Sequence, residues 1–230
     1  KATYQATNQR TGSPLTTIKN TFGRCGEEST FVVAALRSVA IPARQCYAPR
    51  WSHCDDNHAW VEVLTEEGWK YLGACEPEME LNRGWFRLPA SKAMLIHNRV
   101  LSDVCSGETI TRQTPRMTEI NVLEHYAKTK SISVKVLDED NMPVEGAKVR
   151  FEVVNYSEFY PITTLETNPN GDVEFVTGLG DLMVYAYKGG AVGYKKVDIR
   201  NEHTIELTLH PISHDELKVK EWIFVPPKGG

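Results

Sequence analysis

A cysteine opens an apolar run in residues 22–40, FGRCGEESTFVVAALRSVA. Because hydrophobic side chains occupy almost every side of this run, it predicts a central, largely buried helix. Cys25 then lies in the first turn of that helix, where unpaired N–H groups favour thiolate over thiol and lower the pKa below its free value of about 8.5. Glu27 and Glu28 share the turn and would oppose a thiolate. The pattern indicates that Cys25 is a candidate nucleophile.

A histidine follows on a predicted strand. Residues 58–63, HAWVEV, alternate in polarity and turn His58 away from the aliphatic face. A second strand starts at Trp69 after a loop of hairpin length. Pairing Leu64 with Trp69 would set His58 opposite roughly positions 73–76.

An acyl-transfer site needs a nucleophile, a base and a group that orients the base. Cys25 and His58 fit the first two roles. Glu76 is the carboxylate nearest to the position opposite His58, with Asp56 and Glu78 as substitutes. Cys25 and His58 also have ordinary structural interpretations. A buried cysteine is usually inert, and a histidine beside an aromatic residue can simply pack against it. The pairing of Cys25 with His58 favours catalysis.

Three motifs resemble those of the transglutaminase-like superfamily: GRCGE at 23–27, IPAR at 41–44 and HAWVEV at 58–63. They are most similar to the branch that contains the peptide N-glycanases and bacterial transglutaminase-like proteins. The resemblance extends from Thr17 to Trp85. It implies a papain-like attack of the Cys25 thiolate on an amide carbonyl through a thioester acyl-enzyme. The family usually carries Asp where this chain has Gly73.

Substrate and ligand contacts are harder to assign. Trp51, Trp60 and Trp85 are candidates for a substrate groove, although large aromatic residues are as often core residues. The run HCDDNH at 53–58 contains metal-ligating side chains, but no second pair of ligands follows at a suitable spacing. We therefore expect no metal and no cofactor. The oxyanion would be bound by the Cys25 N–H and a second donor, which residues 4–10 are placed to supply.

The composition is that of an ordinary globular protein, with 41% hydrophobic and 24% charged residues. A formal net charge of −4 without a Lys/Arg cluster argues against nucleic-acid binding. No apolar run approaches the roughly 20 residues that span a bilayer. Five cysteines leave at least one unpaired, for which Cys25 is the candidate. Bridges among the others stay open: Cys46, Cys54, Cys75 and Cys105.

Near Lys130 the sequence changes to short runs that alternate in polarity, which predicts a separate β domain. Short alternating runs at regular spacing up to Leu209 predict a small sandwich. Residues 140–149 and 167–173 resemble prealbumin-like or carboxypeptidase-regulatory-like Ig-type domains of secreted bacterial proteins. We expect three parts: a transglutaminase-like catalytic domain over residues 1–125, the sandwich over 126–210, and a tail or further region over 211–230.

These features together predict an α+β protein, with a papain-like core in which a Cys-bearing helix packs against an antiparallel sheet, followed by an Ig-like or prealbumin-like sandwich. The expected function is a cysteine-dependent amide hydrolase or acyltransferase acting on a peptide, protein or glycopeptide. The alternative is a catalytically impaired module that binds protein or glycan, as Gly73 suggests. Lys1 opens without a signal-like segment, which is typical of a mature form or fragment. The resemblance implies an extracytoplasmic location, and the sequence sets no oligomeric state.

Overall fold

The chain is built mainly from β-strands in a computed structural model that describes residues 3–5, 11–101, 107–212 and 219–229. A short 3₁₀ turn at Leu123–His125 lies before the strand that starts at Thr129. In chain order the elements are β1 (Thr3–Tyr4), α1 (Pro14–Asn20), β2 (Phe22–Gly23), α2 (Cys25–Ser38), β3 (Ala43–Ala48), β4 (His58–Thr65), β5 (Gly68–Leu72), α3 (Arg87–Ser91), β6 (His97–Val100), β7 (Thr109–Thr114), β8 (Met117–Asn121), β9 (Thr129–Leu137), β10 (Lys148–Asn155), β11 (Glu158–Glu166), β12 (Asp172–Gly178), β13 (Asp181–Lys188), β14 (Ala191–Asp198), β15 (Thr204–Thr208) and β16 (His210–Pro211).

Six antiparallel strands form the first sheet, in the order β5-β4-β3-β6-β8-β7. One face carries Val61 and Val63, which pack against Val33 of α2. The opposite face carries Trp60 and Phe86 in a second apolar cluster. The sheet therefore separates α2 from the aromatic side of strand β4, because successive side chains of a strand point to opposite faces.

The hairpin β4–β5 has the predicted register, with Leu64 opposite Trp69. Pairing continues to Thr65 and Gly68, so only two residues form the turn. Strand β5 ends at Leu72. The chain leaves the sheet at Gly73 and turns back on itself.

Two further sheets pack as a sandwich, in the orders β11-β10-β13-β14-β16 and β12-β9-β15. Their apolar faces form one core, in which Phe151 of one sheet lies 4.6 Å from Phe175 of the other between ring centroids. Every strand predicted between Lys130 and Leu209 is present. Met94 enters the same core from the segment before β6, and its carbonyl accepts a bond from Thr177 Oγ1 at 2.6 Å.

The predicted α+β class is wrong, because the described chain is mostly β. Its three helices contain 7, 14 and 5 residues, so only α2 exceeds two turns. The segment from Arg83 to Arg99 forms only the short helix α3 before it enters β6 and extends the sheet. Helix α2 is not central either, since Val33 is its one buried apolar residue among those described and its outer side is exposed. The structure does not show a papain-like core around a buried helix.

The remaining features are the first helix, the C-terminal tail and the domain boundaries. The segment before β2 contains α1, where Ser13 Oγ accepts from the Thr16 N–H at 3.3 Å and Pro14 is the first helical residue. The tail docks on the sandwich, since Asp181 N donates to the Val225 carbonyl at 2.8 Å. The domain boundaries at 125 and 210 stay predictions. In the described part of the chain, no helix has the length and apolar character needed to cross a membrane.

Candidate active site

The site begins with Cys25, the first residue of α2. Glu27 ties the start of this helix to the chain before it. One of its carboxylate oxygens accepts from the Arg24 N–H at 3.0 Å and the other from the Gly12 N–H at 3.1 Å. The first bond is that of a capping box, in which the third helical residue accepts from the N-cap N–H. The second joins the helix start to the chain before α1. Buried Glu27 therefore caps the helix that carries the thiol.

The Cys25 thiol lies against the start of β4. Burial raises the pKa of Cys25, and the N–H groups of Ala59 and Gly26, which point at the sulfur, offset only part of that rise. The predicted lowering of this pKa is wrong, because loss of hydration outweighs the helix terminus. Cys25 is a neutral thiol at neutral pH. Its donor Ala59 directly follows His58 in β4, and the His58 ring packs with Trp60 and Phe86 on the aromatic side of the sheet.

The His58 imidazole is enclosed by aromatic rings. It is 6% exposed, and the centroids of Trp85 and Phe86 lie 4.7 and 5.1 Å from its own. Burial lowers the pKa of His58 to about 4, and the charge of Asp56 opposes part of the shift. Within the described part of the chain, the buried Nε2 atom has no hydrogen-bond partner. A neutral imidazole with an unused nitrogen is the form that a general base requires.

Glu76 reaches His58 only through an intermediate residue. Its carboxylate accepts a hydrogen bond from Trp85 Nε1, and the Trp85 indole packs on the His58 ring. Gly73, which stands where the family carries Asp, has no room for a side chain, since a Cβ there would lie 2.9 Å from the Glu76 carbonyl oxygen. Asp56, ranked behind Glu76 from the sequence, is the carboxylate whose charge acts on His58. The role of Glu76 as orienter stays a prediction.

A second thiol engages the other acidic residue of the first helical turn. Burial and a hydrogen bond to Glu28 raise the pKa of Cys75. The carboxylate of Glu28, which is 8% exposed, therefore has a partner of its own. The described cysteines are all free thiols, namely Cys25, Cys46, Cys54 and Cys75. Cys105 lies outside the described residues, and so do the bridges considered for it.

Tyr4 lies beside the start of α2 because β1 pairs in parallel with β2, with Tyr4 opposite Gly23. Burial raises the pKa of Tyr4, and nearby Cys25 and Asp56 raise it further. Tyr4 is the one described side chain of the 4–10 segment with a phenol donor near the thiol. The neighbouring Gln5 N–H is already bonded to the Gly23 carbonyl at 2.9 Å. Residues 6–10, the remaining candidates for an oxyanion donor, lie outside the described residues.

The three tryptophans expected at a groove have different environments. Trp51 is 2% exposed and Trp60 is fully buried, so neither indole is accessible to a substrate. Both belong to the core, where large aromatic residues bury the most apolar area. Trp85 is 56% exposed, and its contact with substrate stays a prediction. In the described ranges, no three His, Cys, Asp or Glu side chains converge as metal ligands, the run at 53–58 included.

The sequence reasoning missed a buried charge network behind strand β4. Glu62 is 1% exposed and accepts from Arg44 Nε and Tyr126 Oη, each at 2.7 Å, while His125 Nδ1 lies 3.2 Å away. Burial alone would raise the pKa of Glu62, but these partners lower it to about 2. The signal was present, because Arg44 of IPAR pairs directly with Glu62 of HAWVEV. The network holds the strand that begins at His58.

The comparisons with known proteins agree with this geometry in one region. Residues 1–74 match the profile of the transglutaminase-like superfamily. That range contains Cys25, His58 and the loop start at Gly73, and it ends before Glu76. No curated protein sequence matches the chain.

A solved structure of a streptococcal ancillary pilin is a distant neighbour, with 12% identity and a TM-score of 0.29. The alignment covers 80% of this chain and 66% of the pilin chain. This chain thus spans less than two thirds of the pilin's length.

Proposed function

We propose that this chain is a cysteine-dependent acyl-transfer enzyme, a hydrolase or acyltransferase, in which Cys25 is the nucleophile and His58 the base. The observation that supports it is a Cys25 thiol at a helix start that accepts from the Ala59 N–H. Ala59 directly follows His58, whose neutral imidazole has an unpartnered nitrogen among the described residues. The superfamily match over the same residues agrees with this assignment. On the motifs GRCGE and HAWVEV, we place the chain nearest the peptide N-glycanase and bacterial transglutaminase-like branch.

The reaction would start from two neutral groups. His58 takes the Cys25 proton as the sulfur attacks the carbonyl carbon of an amide. The carbon–nitrogen bond then breaks, the proton passes to the departing amine, and a thioester remains on Cys25. Water or a second amine, deprotonated by His58, attacks the thioester and regenerates the thiol. A buried pair of this kind avoids charge until the transition state, where the Cys25 N–H and the Tyr4 hydroxyl would stabilise the oxyanion.

Two carboxylates would position the base. Glu76 fixes the Trp85 indole, and that indole limits rotation of the His58 ring. Asp56 supplies the negative charge that stabilises the imidazolium form as it appears. We assign the substrate to the class of peptide, protein or glycopeptide amides, and place the activity outside the cytoplasm. The support for that location is the likeness of residues 140–149 and 167–173 to domains of secreted proteins.

An activated ester tests the nucleophile without knowledge of the natural substrate. Wild type mixed with p-nitrophenyl acetate should release a burst of one equivalent of p-nitrophenolate and carry one acetyl group on Cys25, as mapped by mass spectrometry. Cys25→Ala should abolish the burst. His58→Ala should slow acylation by about 100-fold. Cys54→Ala removes an exposed thiol and is the matched control, because its burst should equal that of wild type.

The competing function is a catalytically impaired module that binds protein or glycan. It is favoured by Gly73, which leaves the usual carboxylate position empty of a side chain. A wild-type protein without a burst, or a burst that persists in Cys25→Ala, would contradict catalysis by Cys25. Turnover of an amide in a panel of peptides and glycopeptides, lost in Cys25→Ala, would exclude the module.

A further inference from the structure

A cleft of about 310 Å³ lies on the α2 side of the first sheet, between that sheet and strand β11. Three arginines line it, Arg50, Arg99 and Arg112, against a single carboxylate, Glu119. Arg99 forms an ion pair with Glu119, with Nε and Oε1 2.8 Å apart. Arg50 and Arg112 have no carboxylate partner among the described residues. The chain as a whole has a net charge of −4, so this concentration of positive charge is local.

The strand pairings build the cleft. Tyr47 pairs with His97, and Glu119 pairs with both Arg99 and Arg112, so all five side chains share one face. A β-bulge places Arg112 there. Strand β7 shifts register between Ile110 and Arg112. Ile110 pairs with Ile120, a core residue on the face opposite to the cleft. The bulge thus turns Arg112 from the core side to the cleft side, a recurrent use of bulges near functional sites.

Buried polar atoms around the cleft have no protein partner. Both ring nitrogens of His97, the Tyr47 hydroxyl and Arg50 Nε are buried without a hydrogen bond among the described residues. His97 is 2% exposed, and its Nδ1 lies 4.0 Å from Glu119, beyond hydrogen-bond distance. Native proteins rarely leave such groups unsatisfied. Their concentration around one cationic cleft supplies donors and acceptors for a polar ligand.

We propose that this cleft binds the carboxylate of a peptide ligand. Guanidinium groups match carboxylates with paired hydrogen bonds, and Arg50 and Arg112 have such groups available. Glu119 disfavours a doubly charged anion such as phosphate. Tyr47 and Tyr160 provide apolar walls for the remainder of the ligand, with Arg50 held 4.4 Å from the Tyr160 ring centroid. The volume suits a ligand of dipeptide size.

The cleft lies beside the candidate active site but does not depend on it. Asn57, which precedes His58, is part of its lining, and Tyr47 pairs across the sheet with Ala59. A peptide held by its carboxylate would therefore lie beside the start of β4. Binding at the cleft requires neither Cys25 nor His58, so it can be measured even if no acyl transfer occurs.

Binding of acetyl-glycyl-alanine, monitored by NMR titration of the wild-type protein, tests the proposal. Saturable binding is expected, and acetyl-glycyl-alanine amide should bind at least about tenfold more weakly. Arg112→Gln should weaken the acid by at least about tenfold, whereas Arg116→Gln, on the exposed β7–β8 turn, should not. Arg50→Met, which keeps the contact with Tyr160, should also weaken it.

Several outcomes would overturn the proposal. They are equal binding of acid and amide, no saturable binding of the acid, or equal affinities in Arg112→Gln and Arg116→Gln. Inorganic phosphate that displaced the peptide at equal concentration would assign the cleft to phosphate instead. Binding that persists in Cys25→Ala, together with a missing acetyl burst in wild type, would leave the cleft standing and remove the proposed catalysis.

Discussion

At the scale of single residues, the competition at Cys25 is between a helix start and burial. The helix terminus and the Ala59 and Gly26 N–H groups favour a thiolate, and loss of hydration disfavours it. Burial prevails, so the pKa of Cys25 is raised. The neighbouring His58 is neutral for the same reason, with a pKa lowered to about 4. The resting pair is therefore thiol and imidazole rather than thiolate and imidazolium.

A pH series of alkylation would distinguish these two forms. The rate at which iodoacetamide modifies Cys25 should rise about tenfold per pH unit from pH 7 toward pH 9, because the thiolate is the reactive form and its fraction grows at that rate below the pKa. Intact mass with peptide mapping gives the rate, and Cys54→Ser removes the competing exposed thiol. Fast labelling that is constant between pH 5 and pH 8 would indicate a preformed ion pair instead.

Tyr4 provides a second prediction at this scale. If its hydroxyl donates to the oxyanion, Tyr4→Phe should lower the acetylation rate of Cys25 by at least about 100-fold, as loss of one such donor does elsewhere. The rate of p-nitrophenolate release measures it. Tyr156→Phe, a change at an exposed tyrosine in the β10–β11 turn, is the control. Equal rates in the two variants would remove Tyr4 from the mechanism.

At the scale of elements, the loop from Gly73 to Glu76 sets the position of the aromatic cover on His58. A methyl group on Gly73 would lie 2.9 Å from the Glu76 carbonyl oxygen, so the loop must shift to accept it. Gly73→Ala should lower the free energy of unfolding by about 1–3 kcal/mol. Gly12→Ala is the matched control, since its Cβ would meet only ordinary contacts beginning at 3.4 Å. Chemical denaturation measures both, and an unchanged Gly73→Ala would mean that the loop is loose.

Some elements could be predicted from the sequence and others could not. Period-two alternation identified β4 and the sandwich strands, because successive side chains of a strand point to opposite faces. Helix α1 was missed because Thr17 is its only buried residue, so it has almost no apolar stripe. The start of α2 at Cys25 was predictable from the residues around it. The raised pKa of Cys25 was not, since it results from burial of the thiol in the folded chain.

At the scale of the whole molecule, two buried histidines link stability to acidity. Burial lowers the pKa of His97 to about 3, and the Arg99 charge adds to the effect. His58 has a pKa of about 4. The unfolded chain binds protons at histidine near pH 6.5, whereas the folded chain resists them until much lower pH. Below pH 6.5 the unfolded state therefore binds more protons, and stability falls as pH falls.

The expected loss of folding stability at low pH is large enough to measure. At pH 4.5 each of the two histidines should cost roughly 2–3 kcal/mol relative to pH 7, because each pKa unit corresponds to about 1.4 kcal/mol. His97→Gln carries no titratable group, so its loss of stability between pH 7 and pH 4.5 should be smaller than that of wild type by roughly 2–3 kcal/mol. His203→Gln, at an exposed histidine, is the control and should retain the wild-type loss. Urea denaturation at the two pH values measures the difference. A His97→Gln protein with the full wild-type loss would mean that His97 accepts a proton in the folded state, with Glu119 at 4.0 Å as its counter-charge.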